Sequence, residues 1–165
     1  MTYLGKAILV AAAMTLAACS NPGRFDDTAN SASTSVAGTA QDPASPLYFQ
    51  QAVGDRVLFE VDQSSLTPTA TATLDGQAQW LMTNSEYNVI IEGHADEQGT
   101  REYNLALGAR RANAVHEYLL SKGVAGNRLK TVSYGKERPL EICSEEACYA
   151  KNRRAVTVIS AGPTS

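Results

Sequence analysis

Residues Ile91 to Asn113 read IEGHADEQGTREYNLALGARRAN, and the prediction of the fold starts from them. Its first residues have the pattern of a strand end, its middle is a polar loop that ends in a glycine, and its last part begins the longest predicted helix of the chain. Asp96 therefore lies where the chain leaves the strand, shortly before the helix that carries Arg111. We expect this junction to be a small binding site that the rest of the domain holds in place.

Helical spacing places Arg111 on the apolar side of its helix. At roughly 100° per residue, it shares a stripe with Leu107, Val115 and Tyr118. A guanidinium in such a stripe must meet an anion or hydrogen-bond acceptors, because a buried unpaired charge is costly. Asp96 is the nearest candidate by sequence. Spacing alone leaves two alternatives, a structural ion pair between Asp96 and Arg111 or a clamp that holds a ligand between them.

A clamp of this kind fits a zwitterionic ligand. The ammonium group of the ligand would face Asp96, and its carboxylate would accept two parallel hydrogen bonds from Arg111. The free backbone N–H groups at the start of the helix would add partial positive charge beside the carboxylate.

Periodicity elsewhere predicts a small domain, 47–165, in which helices alternate with strands. Strands are predicted at 56–61, 87–92, 128–134 and 154–159, helices at 68–83 and 102–122, and a short helical turn near 145–150. Thr67 followed by Pro68 is a typical helix start, and Gly123 is a typical helix end. The order β-α-β-α-β-β predicts an α/β fold of the α+β sandwich type, with two helices packed on a mixed sheet of about four strands.

Residues 1–18 are predicted to be a secretory signal peptide. Lys6 provides the positive start, and the apolar run that follows is shorter than the roughly 20 residues of a spanning helix. The run ends in LAAC at 16–19, which resembles the lipobox of bacterial lipoproteins. This resemblance implies that Cys19 becomes the first mature residue and carries lipid, palmitate included. The alternative is an ordinary cleavage site with a cysteine nearby.

Residues 19–46 are predicted to be a flexible tether behind that lipid. The segment is rich in Ser, Thr, Ala, Asn, Gly and Pro, and it has too few large apolar side chains to offset the entropy of ordering it. Ser20 follows Cys19 where inner-membrane lipoproteins often have an aspartate, so the resemblance implies sorting to the outer membrane, facing the periplasm.

The charge balance argues against nucleic-acid binding. The chain has 14 Lys and Arg residues against 17 Asp and Glu residues, a formal net charge of -3. Nucleic-acid binding needs a basic stripe, which this sequence lacks.

The cysteines and histidines give no clear metal site, and no cofactor is expected. Cys143 and Cys148 flank four residues, and a zinc site would need two more suitably spaced ligands. An oxidising compartment favours a local disulfide between them. His94 alternates with Glu92 and Asp96, but a structural role is favoured over metal or acid–base chemistry. No nucleophile elbow, phosphate loop or metalloprotease motif is present, so the protein is predicted not to be an enzyme.

Several segments resemble the OmpA-like peptidoglycan-binding domain family, in the same order along the chain. They are EGHADEQG at 92–99, YN at 103–104, RRANAV at 110–115, SYGKERP at 133–139 and KNRRAV at 151–156. The resemblance implies that Asp96 and Arg111 hold the diaminopimelate of the peptidoglycan stem peptide non-covalently. It also implies that Asn104 and Asp62 lie near this ligand. For Arg153 and Arg154 the simplest interpretation is a structural or surface role, and contact with the cell-wall polymer is the alternative.

The resemblance is strongest to the lipoproteins of the Tol–Pal system. It implies TolB and other Tol proteins as partners, and a role in envelope integrity and cell division. The alternative is an OmpA-like lipoprotein that anchors the wall outside the Tol system.

Overall fold

The computed structural model describes residues 38–142 and 144–161. The predicted signal peptide, the lipidation site Cys19 and most of the predicted tether lie outside the described residues. The end of the tether segment contacts the domain, because the Trp80 indole donates a hydrogen bond of 2.7 Å to the Pro43 carbonyl and Ser45 is buried. Ordered contacts therefore begin a few residues before Leu47.

Helices and strands alternate as the periodicity predicts. In chain order the elements are α1 (Pro46–Tyr48), a π-helical turn (Phe49–Gly54), β1 (Arg56–Leu58), α2 (Pro68–Thr83), β2 (Tyr87–His94), α3 (Arg101–Ser121), a 3₁₀ turn (Gly126–Arg128), β3 (Leu129–Gly135), α4 (Glu146–Asn152) and β4 (Arg154–Ala161). Both long helices start at a threonine cap, since the Thr67 hydroxyl accepts a hydrogen bond from the Ala70 N–H and the Thr100 hydroxyl accepts one from the Tyr103 N–H. None of the helices in the described ranges is long and apolar enough to cross a membrane.

The four strands form one mixed sheet in the order β1-β4-β2-β3. β4 is antiparallel to both of its neighbours, whereas β2 and β3 are parallel and α3 makes the crossover between them. Helices α2 and α3 pack on one face of the sheet over a core that includes Leu74, Leu81, Ile91, Val115 and Leu119. The predicted α+β sandwich with a mixed four-stranded sheet is confirmed.

The first strand is shorter than predicted. It ends at Leu58, after which the Phe59 N–H donates a hydrogen bond of 2.9 Å to the Arg153 carbonyl just before β4 begins. The next residues, Glu60 to Gln63, form a tight turn that the Gln63 N–H closes on the Glu60 carbonyl at 3.1 Å. The apolar alternation that predicted a strand to residue 61 therefore continues into a turn beside the candidate site.

Two glycines allow α3 to lie directly on the end of β2. A Cβ atom at Gly93 would come within 1.8 Å of the Gly108 carbonyl oxygen, and one at Gly108 would come within 2.8 Å of the Gly93 carbonyl oxygen. No side chain fits at either contact without moving the backbone of the other element. This close approach places the loop after β2 over the first turns of α3.

Candidate ligand-binding site

A cavity of about 300 Å³ opens where β2 ends, α3 begins and the turn after β1 passes by. It is lined by Val61, Asp62, Asp96, Gln98, Gly99, Tyr103, Asn104 and Leu107. Three of the four ligand-binding residues proposed from the sequence, Asp62, Asp96 and Asn104, therefore line one cavity although they lie on three different segments.

A larger groove of about 620 Å³ lies between the N-terminal helical segment and α2. No Asp, Glu, Lys or Arg residue lines it; its walls include Tyr48, Val53, Gly76 and Trp80. The smaller cavity has the charged groups, so it is the better candidate for recognition of a charged ligand.

Asp96 is buried and is held from two sides. Its Oδ1 accepts a hydrogen bond of 3.1 Å from the Gln98 N–H, and its Oδ2 accepts one of 3.2 Å from Nη1 of Arg153. The ion pair between Asp96 and Arg111 that spacing left open is not formed; the partner of Asp96 is Arg153. Both members of this pair are almost fully buried, so solvent screens it little.

Arg111 lies behind the cavity wall rather than on its surface. It is fully buried and donates to three backbone carbonyls, from Nε to Gln63 at 2.8 Å, from Nη1 to His94 at 2.8 Å and from Nη2 to Glu60 at 3.2 Å. Burial lowers the pKa of Arg111 to about 10, and the nearby Asp96 carboxylate opposes that shift. The side chain therefore remains a cation at neutral pH and fastens the turn after β1 to the end of β2.

The turn after β1 presents Asp62 to the cavity. Asp62 has a φ of 56°, a left-handed conformation that few residues other than glycine adopt and that aspartate tolerates better than most. Its carboxylate accepts a hydrogen bond from the Tyr103 hydroxyl on α3, and this bond raises the pKa of Tyr103. Tyr103, which the sequence singled out only as part of a motif, thus links the two sides of the cavity.

Asn104 supplies an acceptor whose partner is missing from the described part of the chain. The residue is 1% exposed, and its Nδ2 donates a hydrogen bond of 2.7 Å to the Gln98 carbonyl. No donor within residues 38–142 and 144–161 reaches its Oδ1. A buried amide oxygen without a donor is unfavourable, which makes Asn104 a candidate for a polar contact beyond those seen among the described residues.

The sequence interpretation gave Arg153 a structural or surface role and missed its pairing with Asp96. Besides Asp96, Arg153 binds the Phe59 carbonyl through Nε at 3.2 Å and the Glu146 carboxylate of α4 through Nη2. Neighbouring residues of an extended chain point to opposite sides. Because Arg153 and Arg154 are neighbours at the start of a strand, one of the two arginines faces the helix side of the sheet. Their adjacency in the sequence could have indicated this.

Comparison with known proteins identifies the family of this fold. A model of the OmpA family matches residues 58–153, which is more than half of the chain. The chain belongs to the OmpA family.

Relatives in the OmpA family match the chain over almost its whole length. It is 49% identical over 158 residues to the peptidoglycan-associated lipoprotein of Rhizobium meliloti (strain 1021), covering 96% of this chain and 90% of that protein. It is 41% identical to the peptidoglycan-associated lipoprotein of Haemophilus influenzae, covering 94% of this chain and 98% of that one. The resemblance inferred from the motifs is confirmed, and family membership also confirms the prediction of a protein that is not an enzyme.

Solved structures place the fold in the same family. The crystal structure of the peptidoglycan-associated lipoprotein from Burkholderia pseudomallei superposes with a TM-score of 0.65 at 40% identity, covering 73% of this chain and 98% of that one. The C-terminal domain of Helicobacter pylori MotB superposes with a TM-score of 0.61 at 22% identity, covering 66% of this chain and 86% of that one, which shows the shared fold alone.

His94 supports this OmpA-family site through its backbone. The residue is buried, its ring centre lies 5.6 Å from that of Tyr134, and within the described ranges neither ring nitrogen has a hydrogen-bond partner. Burial, together with the positive charges of Arg154 and Arg138, lowers the pKa of His94 to about 4. The ring is therefore neutral at neutral pH, while its backbone carbonyl accepts the bond from Arg111.

The predicted disulfide falls partly outside the described residues. Cys148 is buried in α4, and Cys143 is not described. The pairing of these two cysteines stays a prediction.

Proposed function

We propose that the protein is an outer-membrane lipoprotein that binds peptidoglycan non-covalently through the diaminopimelate of the stem peptide and so tethers the outer membrane to the cell wall. The observation that carries the proposal is the cluster of acceptors in one cavity. Asp62 and Asp96 contribute carboxylates, and Asn104 contributes a buried oxygen without a donor among the described residues.

These acceptors suit an ammonium group. An ammonium carries N–H donors on three sides and a full positive charge, so it can bond to several oxygens at once. The side chain of diaminopimelate ends in such a group, carried on the same carbon as a carboxylate. The cavity, at about 300 Å³, has the volume for this terminal zwitterion rather than for a whole muropeptide.

Positive charge close to the acceptors favours the carboxylate half of the zwitterion. Arg111 contributes a buried cation behind the cavity wall, and α3 directs its N-terminus to the same loop. A guanidinium carries more N–H groups than the three that Arg111 uses on backbone carbonyls, so donors remain for a carboxylate that reaches it. Arg111 acts in this proposal as the support of the Asp62 turn as well as a source of charge.

Co-sedimentation with purified sacculi tests the proposal. Asp96→Asn keeps the shape of the side chain and removes its charge, so we expect a folded protein that no longer sediments with the wall. Asp75→Asn is the matched control, because Asp75 lies on α2 and pairs with Lys122. Equal sedimentation of Asp96→Asn and the wild type would contradict the proposal, and release of soluble muropeptides would contradict a purely binding role.

We further propose that the protein acts with TolB and other proteins of the Tol system and contributes to envelope integrity and cell division. The support is its similarity to proteins named peptidoglycan-associated lipoprotein over nearly their whole length. A pull-down from periplasm that retains TolB would support this partnership. A pull-down that recovers wall fragments without TolB would favour a wall anchor outside the Tol system.

Membrane attachment is assigned to lipid on Cys19 after removal of residues 1–18, with 19–46 as the tether. Mass spectrometry of the mature N-terminus tests this assignment, with an acylated Cys19 as the expected result. The same measurement on tryptic peptides with and without reduction tests the disulfide between Cys143 and Cys148.

A further inference from the structure

Asp96 lies between two buried cations. Arg153 donates to its Oδ2 at 3.2 Å, and Arg111, which forms no hydrogen bond with Asp96, donates to the carbonyl of His94, two residues before it. Arg111 and Arg153 are 0% and 3% exposed. The Asp96 carboxylate therefore has two possible partners. The arginine that it binds determines the direction in which its remaining lone pairs point.

Three hydrogen bonds to two separate parts of the chain fix Arg153 in place. Its Nε binds the Phe59 carbonyl at 3.2 Å, its Nη2 binds the Glu146 carboxylate, and its backbone carbonyl accepts the Phe59 N–H at 2.9 Å. The guanidinium therefore cannot follow Asp96 if that side chain rotates. It is a rigid anchor, whereas a lysine at the same place would make fewer bonds of defined direction.

We propose that Arg153 is a positioning residue for ligand recognition. By holding Asp96 at the cavity wall and away from Arg111, it keeps the carboxylate available for the ammonium group of the ligand. It thereby makes the site prefer amino-bearing stem peptides over otherwise identical peptides without that amine. This inference rests on the proposed binding of diaminopimelate.

Glu146 has a secondary part in this arrangement. It lies on the exposed side of α4 and shares Arg153 with Asp96. Its removal leaves the bond between Arg153 and Asp96 in place, so its effect on recognition is expected to be smaller than that of Arg153.

The experiment compares two stem tripeptides by isothermal titration calorimetry on the full mature protein. One peptide carries meso-diaminopimelate and the other carries 2-aminopimelate, which lacks the distant amine. The wild type is expected to prefer the first by at least about tenfold, the effect of one charge-assisted hydrogen bond. In Arg153→Gln the preference is expected to fall to about twofold or less, because Asp96 then turns to Arg111.

Arg154→Gln is the matched control. Arg154 is also buried, at 5% exposure, but it donates to the Asn152 and Arg138 carbonyls and has no contact with Asp96. It is expected to keep the wild-type preference even where thermal melts show lost stability. Arg153→Lys keeps the charge and is expected to recover part of the preference, and Glu146→Gln is expected to lower it by no more than about threefold.

The outcomes separate the two proposals. A folded Arg153→Gln variant with the wild-type preference overturns the role of Arg153 and leaves the proposed function intact. If Arg153→Gln does not fold, Arg153→Lys is used in its place. A wild-type preference for the diaminopimelate peptide in Arg153→Lys would then overturn the inference. A wild-type protein that binds neither peptide contradicts the proposed function itself.

Discussion

At the scale of single residues, the candidate site separates residues that line the cavity from residues that hold them in place. Asp62, Asp96 and Asn104 line the cavity, whereas Arg111 and Arg153 lie behind it. The sequence correctly indicated that Arg111 must find acceptors. It could not indicate which ones, because the carbonyls that Arg111 binds belong to residues up to 51 positions away.

We expect replacement of Arg111 to damage the fold more than replacement of any cavity-lining acceptor. In Arg111→Met the carbonyls of Glu60, Gln63 and His94 lose their donors inside the protein, which should lower the free energy of unfolding by about 3 kcal/mol or more. Urea denaturation measures this change.

The control for Arg111 is its exposed neighbour Arg110, whose guanidinium lies 5.9 Å from the Tyr103 ring centre. Arg110→Met should change the free energy of unfolding by no more than about 0.5 kcal/mol. Similar losses in the two variants would contradict the structural role of Arg111.

His94 makes stability depend on pH. Its pKa is about 4 in the folded protein against an ordinary 6.5, so the unfolded chain takes up a proton at a higher pH than the folded one. The groups that face the ring are Glu92, at 3.6 Å, together with Tyr134, Arg138 and Arg154. Stability should be unaffected by this group above pH 6.5. It should then fall as the pH drops to about 4, by a total on the order of 3 kcal/mol.

Urea denaturation across this pH range, with the wild type and His94→Gln, checks the expectation. The variant should lose the decline that this histidine causes, and His116→Gln should keep it. A decline that is the same in the wild type and His94→Gln would show that the ring is not buried in its neutral form.

At the scale of elements, the site depends on how closely α3 approaches β2. Gly108 contacts the β2 backbone, and a Cβ atom there would lie 2.8 Å from the Gly93 carbonyl oxygen. Gly108→Ala should therefore lower the free energy of unfolding by about 1–3 kcal/mol, despite the higher helix propensity of alanine, and should also weaken wall binding.

The matched substitution is Gly76→Ala in α2. A Cβ atom at Gly76 would meet only the Val53 side chain, at an ordinary contact distance of 3.5 Å. This variant should be neutral or more stable by up to about 1 kcal/mol. A melting temperature for Gly108→Ala at or above that of Gly76→Ala would contradict the close packing of α3 on β2.

The elements themselves were largely predictable from the sequence, because caps and periodicity are local signals. Thr67, which the sequence predicted as a helix start, caps α2, and the strand patterns identified four strands. The insertion of β4 between β1 and β2 could not be predicted in the same way, since it depends on pairings between distant segments. The pairing of Asp96 with Arg153 could not be predicted for the same reason, because the two residues lie 57 positions apart in the sequence.

At the scale of the whole molecule, recognition depends on the complete domain. The cavity and its supports come from the turn after β1, the loop after β2, the first turns of α3 and the residue before β4. No local fragment contains all of them, so binding and global folding should be lost together on denaturation. A tether and a lipid then join this folded site to a membrane in the proposed function.

In the proposed function, the cavity recognises the terminal zwitterion of diaminopimelate. The most direct test of this claim is competition on sacculi, in which wall-bound mature protein is challenged with free meso-diaminopimelate or with pimelate. Pimelate has the same chain and both carboxylates but no amine. We expect diaminopimelate to release the protein in a concentration-dependent manner and pimelate to leave it bound. Equal release by both compounds, or release by neither, would contradict the claim.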